Sequence, residues 1–204
     1  LKNLNIIKNS YKIVIKKNIP VFAGLGGGTA NSASVIKYFM KNKINERYIR
    51  IFEKVIGSDF RLFLYKSSFQ KKIAKVNKSR NKINYPFLII YPNLICKTKN
   101  IYKLNKNLSS SSRNLYYKKY SKKNFIEKIK KDRNDLQSIV EKKYPKISKL
   151  IQDISIQKGC IFSRMTGSGS ACYGVFQSKK SANFAMVKLK RKYPKYWCVI
   201  TKTI

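Results

Sequence analysis

Apolar positions along this chain alternate between the three-to-four-residue spacing of helices and the short continuous runs of strands. Residues 29–42 put Ala33, Ile36 and Met40 on one face, and Glu46–Ile56 does the same with Ile49, Phe52 and Ile56 before Gly57. Further helices are predicted over 125–131, 135–143 and 147–156, and Ala182, Ala185, Met186 and Leu189 mark a last one. Strands are predicted over 11–15, where the alternation is weak, over 73–76, 160–162, 171–176 and 197–203, and over Pro86–Tyr91, continuous enough to be buried on both faces. Between Thr98 and Lys123 the pattern dissolves into Ser, Asn and Lys, Ser109 to Ser112 included, as expected of an exposed linker or mobile arm. The chain after Thr98 therefore reads as an α+β lobe, helices packed on a small antiparallel sheet.

Charge changes the picture less than its size suggests. Lys and Arg number 46 against 8 Asp and Glu, a net charge of +38, which would ordinarily point to nucleic acid. Lysine, however, far outnumbers arginine and is scattered in pairs such as Lys16-Lys17 and Lys71-Lys72. With Asn, Ile, Tyr and Phe abundant and His absent, this is the profile of AT-rich codons acting on the whole chain. Salt-sensitive attraction to polyanions is expected, and no specific nucleic-acid partner. No run approaches the roughly 18 apolar residues of a membrane span, so no membrane partner is expected either. Cys96, Cys160, Cys172 and Cys198 show no C-x-x-C spacing, and buried reduced thiols fit a cytoplasmic protein. The chain begins at Leu1 rather than Met, so a plastid or other organellar address stays open if a targeting segment lies upstream.

The candidate chemistry lies in the glycines. Of 9 in the chain, Gly24, Gly26, Gly27 and Gly28 stand together in Pro20-Val21-Phe22-Ala23-Gly24-Leu25-Gly26-Gly27-Gly28-Thr29-Ala30, directly before a predicted helix. Glycines there admit a ligand close to the backbone, and the free N–H groups and dipole of the first helical turn favour an anion. No lysine lies between Val21 and Ile36, so phosphate binding by backbone is expected; a plain strand-to-helix turn is the alternative. Thr29 is placed to cap the helix or to reach a phosphate or Mg²⁺. Neither G-x-x-x-x-G-K-[ST] nor the Rossmann fingerprint is present. A second loop, Thr166-Gly167-Ser168-Gly169-Ser170, follows late in the chain, and Asp59 sits in Gly57-Ser58-Asp59, where it either does chemistry or caps the next turn. Asn134-Asp135 reads as a polar pair capping a helix.

With these residues in view, the chain resembles the GHMP kinases, the superfamily named for galactokinase, homoserine kinase, mevalonate kinase and phosphomevalonate kinase. Residues 20–33 resemble the family's second motif, and the triple glycine resembles the 4-diphosphocytidyl-2-C-methyl-D-erythritol kinases in particular. Gly57-Ser58-Asp59 is similar to their catalytic-aspartate loop, Asn134-Asp135-Leu136-Gln137 to their Asn-Asp-Leu-Glu segment, and residues 165–171 to their third motif. Residues 86–102 also follow the family pattern, through Tyr91-Pro92 and Thr98. The resemblance implies a two-lobed α+β fold: an ATP-binding lobe over residues 1–97, then a C-terminal lobe over 98–204 built as a ferredoxin-like α/β sandwich. It further implies transfer of the ATP γ-phosphoryl group to the substrate's 2-hydroxyl, with Mg²⁺ accompanying the nucleotide. Residues Pro20 to Ala30 would hold the ATP phosphates, Thr166 to Ser170 would close on phosphate or substrate, and Asp59 would take the hydroxyl proton. The substrate would be the cytidine diphosphate methylerythritol. Other GHMP small-molecule kinases and a decayed, inactive kinase are the alternatives. Two departures stand out: Phe60-Arg61 follows Asp59 where the family has Val-Pro or a close relative, and the chain starts after the family's first strands and catalytic lysine. Lys2, Lys8 and Lys12 do not stand in for that lysine. An incomplete first lobe, an unpaired sheet edge, poor solubility and little turnover from these residues alone are the corresponding expectations.

Overall fold

The computed structural model describes residues 1–72, 75–79, 84–105 and 120–202. Part of the strand expected over 73–76, the centre of the expected linker with Ser109 to Ser112, and Thr203 at the last strand's end lie outside them. The chain forms two compact units, Leu1–Val21 with Gly26–Ser79, and Phe22–Leu25 with Arg80–Ile204.

The first unit is built on two helices, α1 (Gly27–Phe39) and α2 (Glu46–Ile56), and a 3-10 helix, Ser58–Leu64. Asn45 starts α2 by accepting a 3.1 Å hydrogen bond from the Tyr48 N–H, and Glu46 lies in the first turn, where the helix dipole favours it. Gly57 ends α2 with φ 123°, a conformation other residues adopt only under strain, and turns the chain into the 3-10 helix. Ala33 and Ile36 of α1, Phe52 of α2 and Phe60 form the core, the Phe52 and Phe60 rings 5.5 Å apart. Lys37 ties α1 to the same 3-10 helix by donating to the Phe63 carbonyl at 2.6 Å. An antiparallel hairpin, β1 (Ser68–Lys72) and β2 (Lys75–Lys78), completes the unit.

The strand expected over 11–15 is not formed. No ladder includes these residues among the described ones, and Tyr11, Ile13, Val14 and Ile15 are exposed, Val14 to 81%. A strand exists by its cross-strand pairs, and weak alternation broken by lysines does not create one without a neighbour.

The second unit holds a four-stranded antiparallel sheet in the order β4 (Cys160–Met165), β5 (Cys172–Phe176), β3 (Pro86–Tyr91), β6 (Trp197–Lys202). In register, Leu88 of the central β3 faces Gly174 on one side and Ile200 on the other. One face carries the core: Leu88, Ile90, Cys172 and Phe176 pack under α5 (Gln137–Lys143), α6 (Pro145–Ser155) and α7 (Lys179–Lys192) through Val140, Ile147, Leu150, Ile154, Ala182, Ala185 and Leu189. On the other face Tyr91 is buried in a small cluster with Ala23 and Ala171 while Phe87 and Ile89 are half-buried, so the expected cover on both faces is complete on one and partial on the other. The expected linker also begins as structure: Thr98–Leu104 is α3, fixed by the fully buried Ile101, and α4 (Lys122–Lys130) follows the undescribed stretch, capped by Ser121. One buried side chain decides α3, where propensity alone is too weak in seven residues. All four cysteines are free thiols; burial pushes the Cys160 thiol up to about 11.

Gly174 sets how closely α6 lies on β5. A Cβ there would stand 2.4 Å from Ile154 Cγ2 and 2.9 Å from a Phe176 ring carbon, both fully buried. Gly174→Ala is expected to destabilise the protein by about 1–3 kcal/mol through overpacking, read as a lower denaturant midpoint with unchanged m.

Candidate active site

In the second unit the two glycine loops meet. Ala23 is 2% exposed in a small cluster with Tyr91 and Ala171, and its carbonyl accepts from the Ala171 N–H at 3.1 Å and from Thr166 Oγ1 at 3.3 Å. Gly24 follows with φ +74°, its position for a Cβ only 2.6 Å from the Gly169 carbonyl oxygen, so no larger residue fits. The 166–170 loop is closed on itself by Thr166 N–H to the Ala171 carbonyl at 2.9 Å and Gly169 N–H to the Thr166 carbonyl at 2.8 Å. Its side chains are spent on the protein. The Ser168 and Thr98 hydroxyls share a 2.9 Å hydrogen bond, and Ser170 donates to the Leu94 carbonyl. Among the described residues the backbone N–H groups of Gly167, Ser168 and Ser170 have no acceptor; Ser168 and Ser170 are buried and Gly167 is exposed, so the Gly167 end is the part of the loop open to an anion.

Asn134 and Gln137 hold that loop in place, a role not read from the sequence. Asn134 Nδ2 donates to the Gly167 carbonyl at 2.8 Å and the Met165 carbonyl at 3.1 Å, while its Oδ1 accepts from the Leu136 N–H at 3.0 Å. Gln137 Oε1 accepts from the Met165 N–H at 3.0 Å, and its Nε2 donates to Glu141. Asp135 instead pairs with Arg133. The expected capping pair is thus divided: α5 has Leu136 as its first flanking residue and no side-chain cap, and Asn134 spends both amide hydrogens on the loop. The signal was the Asn-Asp-Leu-Gln segment itself, whose polar residues have no other need to lie beside a buried leucine.

In the first unit, Pro20 and Val21 lead toward α1, which begins two residues earlier than expected. Gly26, at φ +65°, is its N-cap, and a Cβ there would lie 2.7 Å from the Phe63 ring. Thr29 therefore sits inside the first turn and caps nothing. The first intrahelical bond is Ala30 N–H to the Gly26 carbonyl at 2.9 Å, so the N–H groups of Gly27, Gly28 and Thr29 have no acceptor within the helix and none among the described residues. No acidic side chain occupies that turn to neutralise the dipole. Gly28 is the informative glycine: nothing lies within 4 Å of its Cβ position and its backbone is ordinary helix, so the fold does not require glycine there. Open space before a helix N-terminus is what a phosphate needs.

Asp59 occupies the first turn of the 3-10 helix whose Phe63 ring lies under Gly26. It is exposed, makes no capping bond, and has no hydrogen-bond or ion-pair partner among the described residues. Arg61 is turned the other way, its side chain 7% exposed and bonded to both carboxylates of α2. Its Nε and Nη2 donate to Glu53 at 2.8 and 2.9 Å, its Nη1 and Nη2 to Glu46 at 2.9 and 2.7 Å. The hydrogen bonds from Arg61 hold the Glu46 carboxyl below the usual carboxylate range, and those to Glu53 and Glu46 push the guanidinium further up. Among the described residues no three His, Cys, Asp or Glu side chains converge as a metal cage, and no helix is long and apolar enough to cross a membrane.

These features carry a family name. The model of the GHMP kinases N-terminal domain matches residues 1–57 and that of the GHMP kinases C-terminal domain residues 98–195. The chain belongs to the GHMP kinase family and is an ATP-dependent kinase. Among its relatives it is similar to the 4-diphosphocytidyl-2-C-methyl-D-erythritol kinase of Pelagibacter ubique (strain HTCC1062), 31% identical over 100% of this chain and 73% of that protein. Its fold matches the crystal structure of a 4-(cytidine 5'-diphospho)-2C-methyl-D-erythritol kinase with a TM-score of 0.68 at 20% identity, covering 91% of this chain and 68% of that one. It also matches the homoserine kinase of Cytophaga hutchinsonii at 0.63 and 16% identity, over 92% and 68%.

Two glycines separate fold from binding. Gly24→Ala is expected to destabilise by about 1–3 kcal/mol, from positive φ and the clash with the Gly169 carbonyl. Gly28→Ala should leave the melting temperature unchanged or higher, yet weaken nucleotide binding in a calorimetric titration. Equal ATP affinity in Gly28→Ala and the unaltered protein would show that the open face does not receive phosphate.

Proposed function

We propose that this kinase transfers the γ-phosphoryl group of ATP to the 2-hydroxyl of 4-diphosphocytidyl-2-C-methyl-D-erythritol, a step of non-mevalonate isoprenoid precursor synthesis. The observation that carries the reading is the glycine-lined start of α1, where among the described residues the first-turn N–H groups have no acceptor and the Cβ position of Gly28 is open, on a chain 31% identical to a kinase of that name. Residues Pro20 to Ala30 hold the ATP phosphates by backbone, and the 166–170 loop adds a donor to phosphate or substrate at its Gly167 end. Asp59 accepts the proton of the attacking hydroxyl; the new O–P bond forms as the bond from the γ-phosphorus to the ADP oxygen breaks. An exposed carboxylate with no cation beside it is free for that work, whereas a salt-bridged one is not. Thr29, whose hydroxyl makes no cap at α1, would be the contact for a Mg²⁺ accompanying the nucleotide, which would neutralise developing phosphate charge.

The same proposal divides the chain into an ATP-binding lobe over residues 1–97 and a GHMP-type lobe over 98–204, with β3 and Phe22–Leu25 joining the second unit. A small-molecule substrate also fits the scattered lysines better than a nucleic acid does.

The test is ATP-dependent conversion of the cytidyl substrate, followed as ADP release and a phosphorylated product, with homoserine and mevalonate as competing alcohols. Asp59→Asn is expected to lower kcat by at least about 100-fold with KM for ATP little changed. Phosphorylation of a competing alcohol alone would assign the chain to another GHMP activity, and an undiminished kcat in Asp59→Asn would remove Asp59 from the chemistry.

A further inference from the structure

The departure from the family pattern after Asp59 has a structural use. Glu46 and Glu53 stand seven residues apart on α2, two turns, and so share one face. Together they make a receptor for one planar guanidinium, and Arg61 fills it with four hydrogen bonds of 2.7–2.9 Å. In a 3-10 helix each residue advances about 120°, so Arg61 and Asp59 necessarily leave the axis in different directions. Between them Phe60, 0% exposed, is anchored on Phe52. Just before them Gly57, at φ 123°, gives the turn no anchor of its own. The turn bearing Asp59 is therefore defined from its far side, by a buried ring and a doubly forked guanidinium.

Charge makes the same point. In a chain with 46 basic residues, an exposed carboxylate is readily taken up by a neighbouring cation, and Arg61 is the nearest in sequence. Arg50 also reaches Glu46, at 3.6 Å, so two glutamates and two arginines balance in this cluster. Among the described residues Arg61 is the cation paired with Glu53, at 12% side-chain exposure, so the guanidinium cannot turn to Asp59 without leaving that carboxylate unpaired.

We infer that Arg61, gripped by Glu46 and Glu53, is the positioning residue for Asp59: it fixes the turn that presents the carboxylate and keeps its own charge off it. The inference rests on Asp59 being the proton acceptor of the proposed reaction. A lysine cannot substitute, because a point ammonium does not span two carboxylate forks.

The experiment places Arg61→Lys in the unaltered chain and in an Asp59→Asn background. Alone, Arg61→Lys is expected to lower kcat about 10-fold with KM for ATP within about two-fold, since small displacements of a reacting group cost rate rather than binding. The amide of Phe60, bonded to the Gly57 carbonyl at 3.1 Å, should exchange at least about 10-fold faster by hydrogen-exchange NMR. In the Asp59→Asn background the same substitution should cost nothing further, because residues acting as one unit are not additive. An unchanged kcat in folded Arg61→Lys, or the same 10-fold loss without Asp59, would overturn the inference. If Arg61→Lys does not fold, Glu46→Gln, at a half-exposed site with the Glu53 fork intact, is expected to give a smaller loss of the same kind. If Asp59→Asn is fully active, the proton-acceptor reading fails on its own. The Phe60 exchange rate then decides whether the clamp orders the turn, and an unchanged rate counts against it.

Discussion

The carbonyl of Ala23 is the constraint on which the glycine loops of the second unit depend. It receives the Ala171 N–H and the Thr166 hydroxyl, joining segments 143 residues apart in sequence. Because it is buried, breaking either bond would strand a polar group without water, at a cost of about 1–3 kcal/mol. That junction brings Gly24 against the Gly169 carbonyl so closely that position 24 has no room for a Cβ. The loops are held by each other, by Asn134 and by Thr98, and the exposed Gly167 keeps an N–H with no acceptor among the described residues. Donors fixed in advance of the ligand are the main resource of phosphoryl transfer, which asks little covalent chemistry of the protein.

Scarce acids are placed with similar economy. Glu46 and Glu53 hold Arg61, Glu141 steadies Gln137, and Asp153 takes Lys192 and the Tyr193 hydroxyl. Burial pushes the Asp153 carboxyl up, but the hydrogen bonds from Lys192 and Tyr193 outweigh it and hold it below the usual range. With 8 acids against 46 bases, Asp59 stays exposed and, among the described residues, without a hydrogen-bond or ion-pair partner.

Much of this was legible in the sequence where two signals agreed. Glu46–Ile56 carries an apolar face and a terminal glycine, and Pro86–Tyr91 is a continuous apolar run; both elements have those limits. Both glycine loops were visible because glycine is otherwise rare here. What stayed hidden depends on partners. Tyr11, Ile13 and Ile15 alternate like a strand but have none to pair with, and α3 exists because Ile101 finds the second unit's core. Thr29 resembled a cap because hydroxyl caps are common, yet Gly26 in the left-handed region starts the helix sooner. The direction of Arg61 was open between Asp59 and elsewhere, since spacing along a loop says nothing of which carboxylates lie opposite.

Backbone recognition of phosphate is best tested by following every backbone amide while the ¹⁵N-labelled protein is titrated with ATP and Mg²⁺ at low and at raised salt. The account predicts the largest shifts at Gly24, Gly26, Gly27, Gly28 and Thr29, joined by Gly167, and predicts that they persist as salt rises. Shifts spread instead over the lysine-rich faces of α4 and α7, and fading with salt, would mean that the nucleotide is held by general charge and that the glycine loops are turns of the fold.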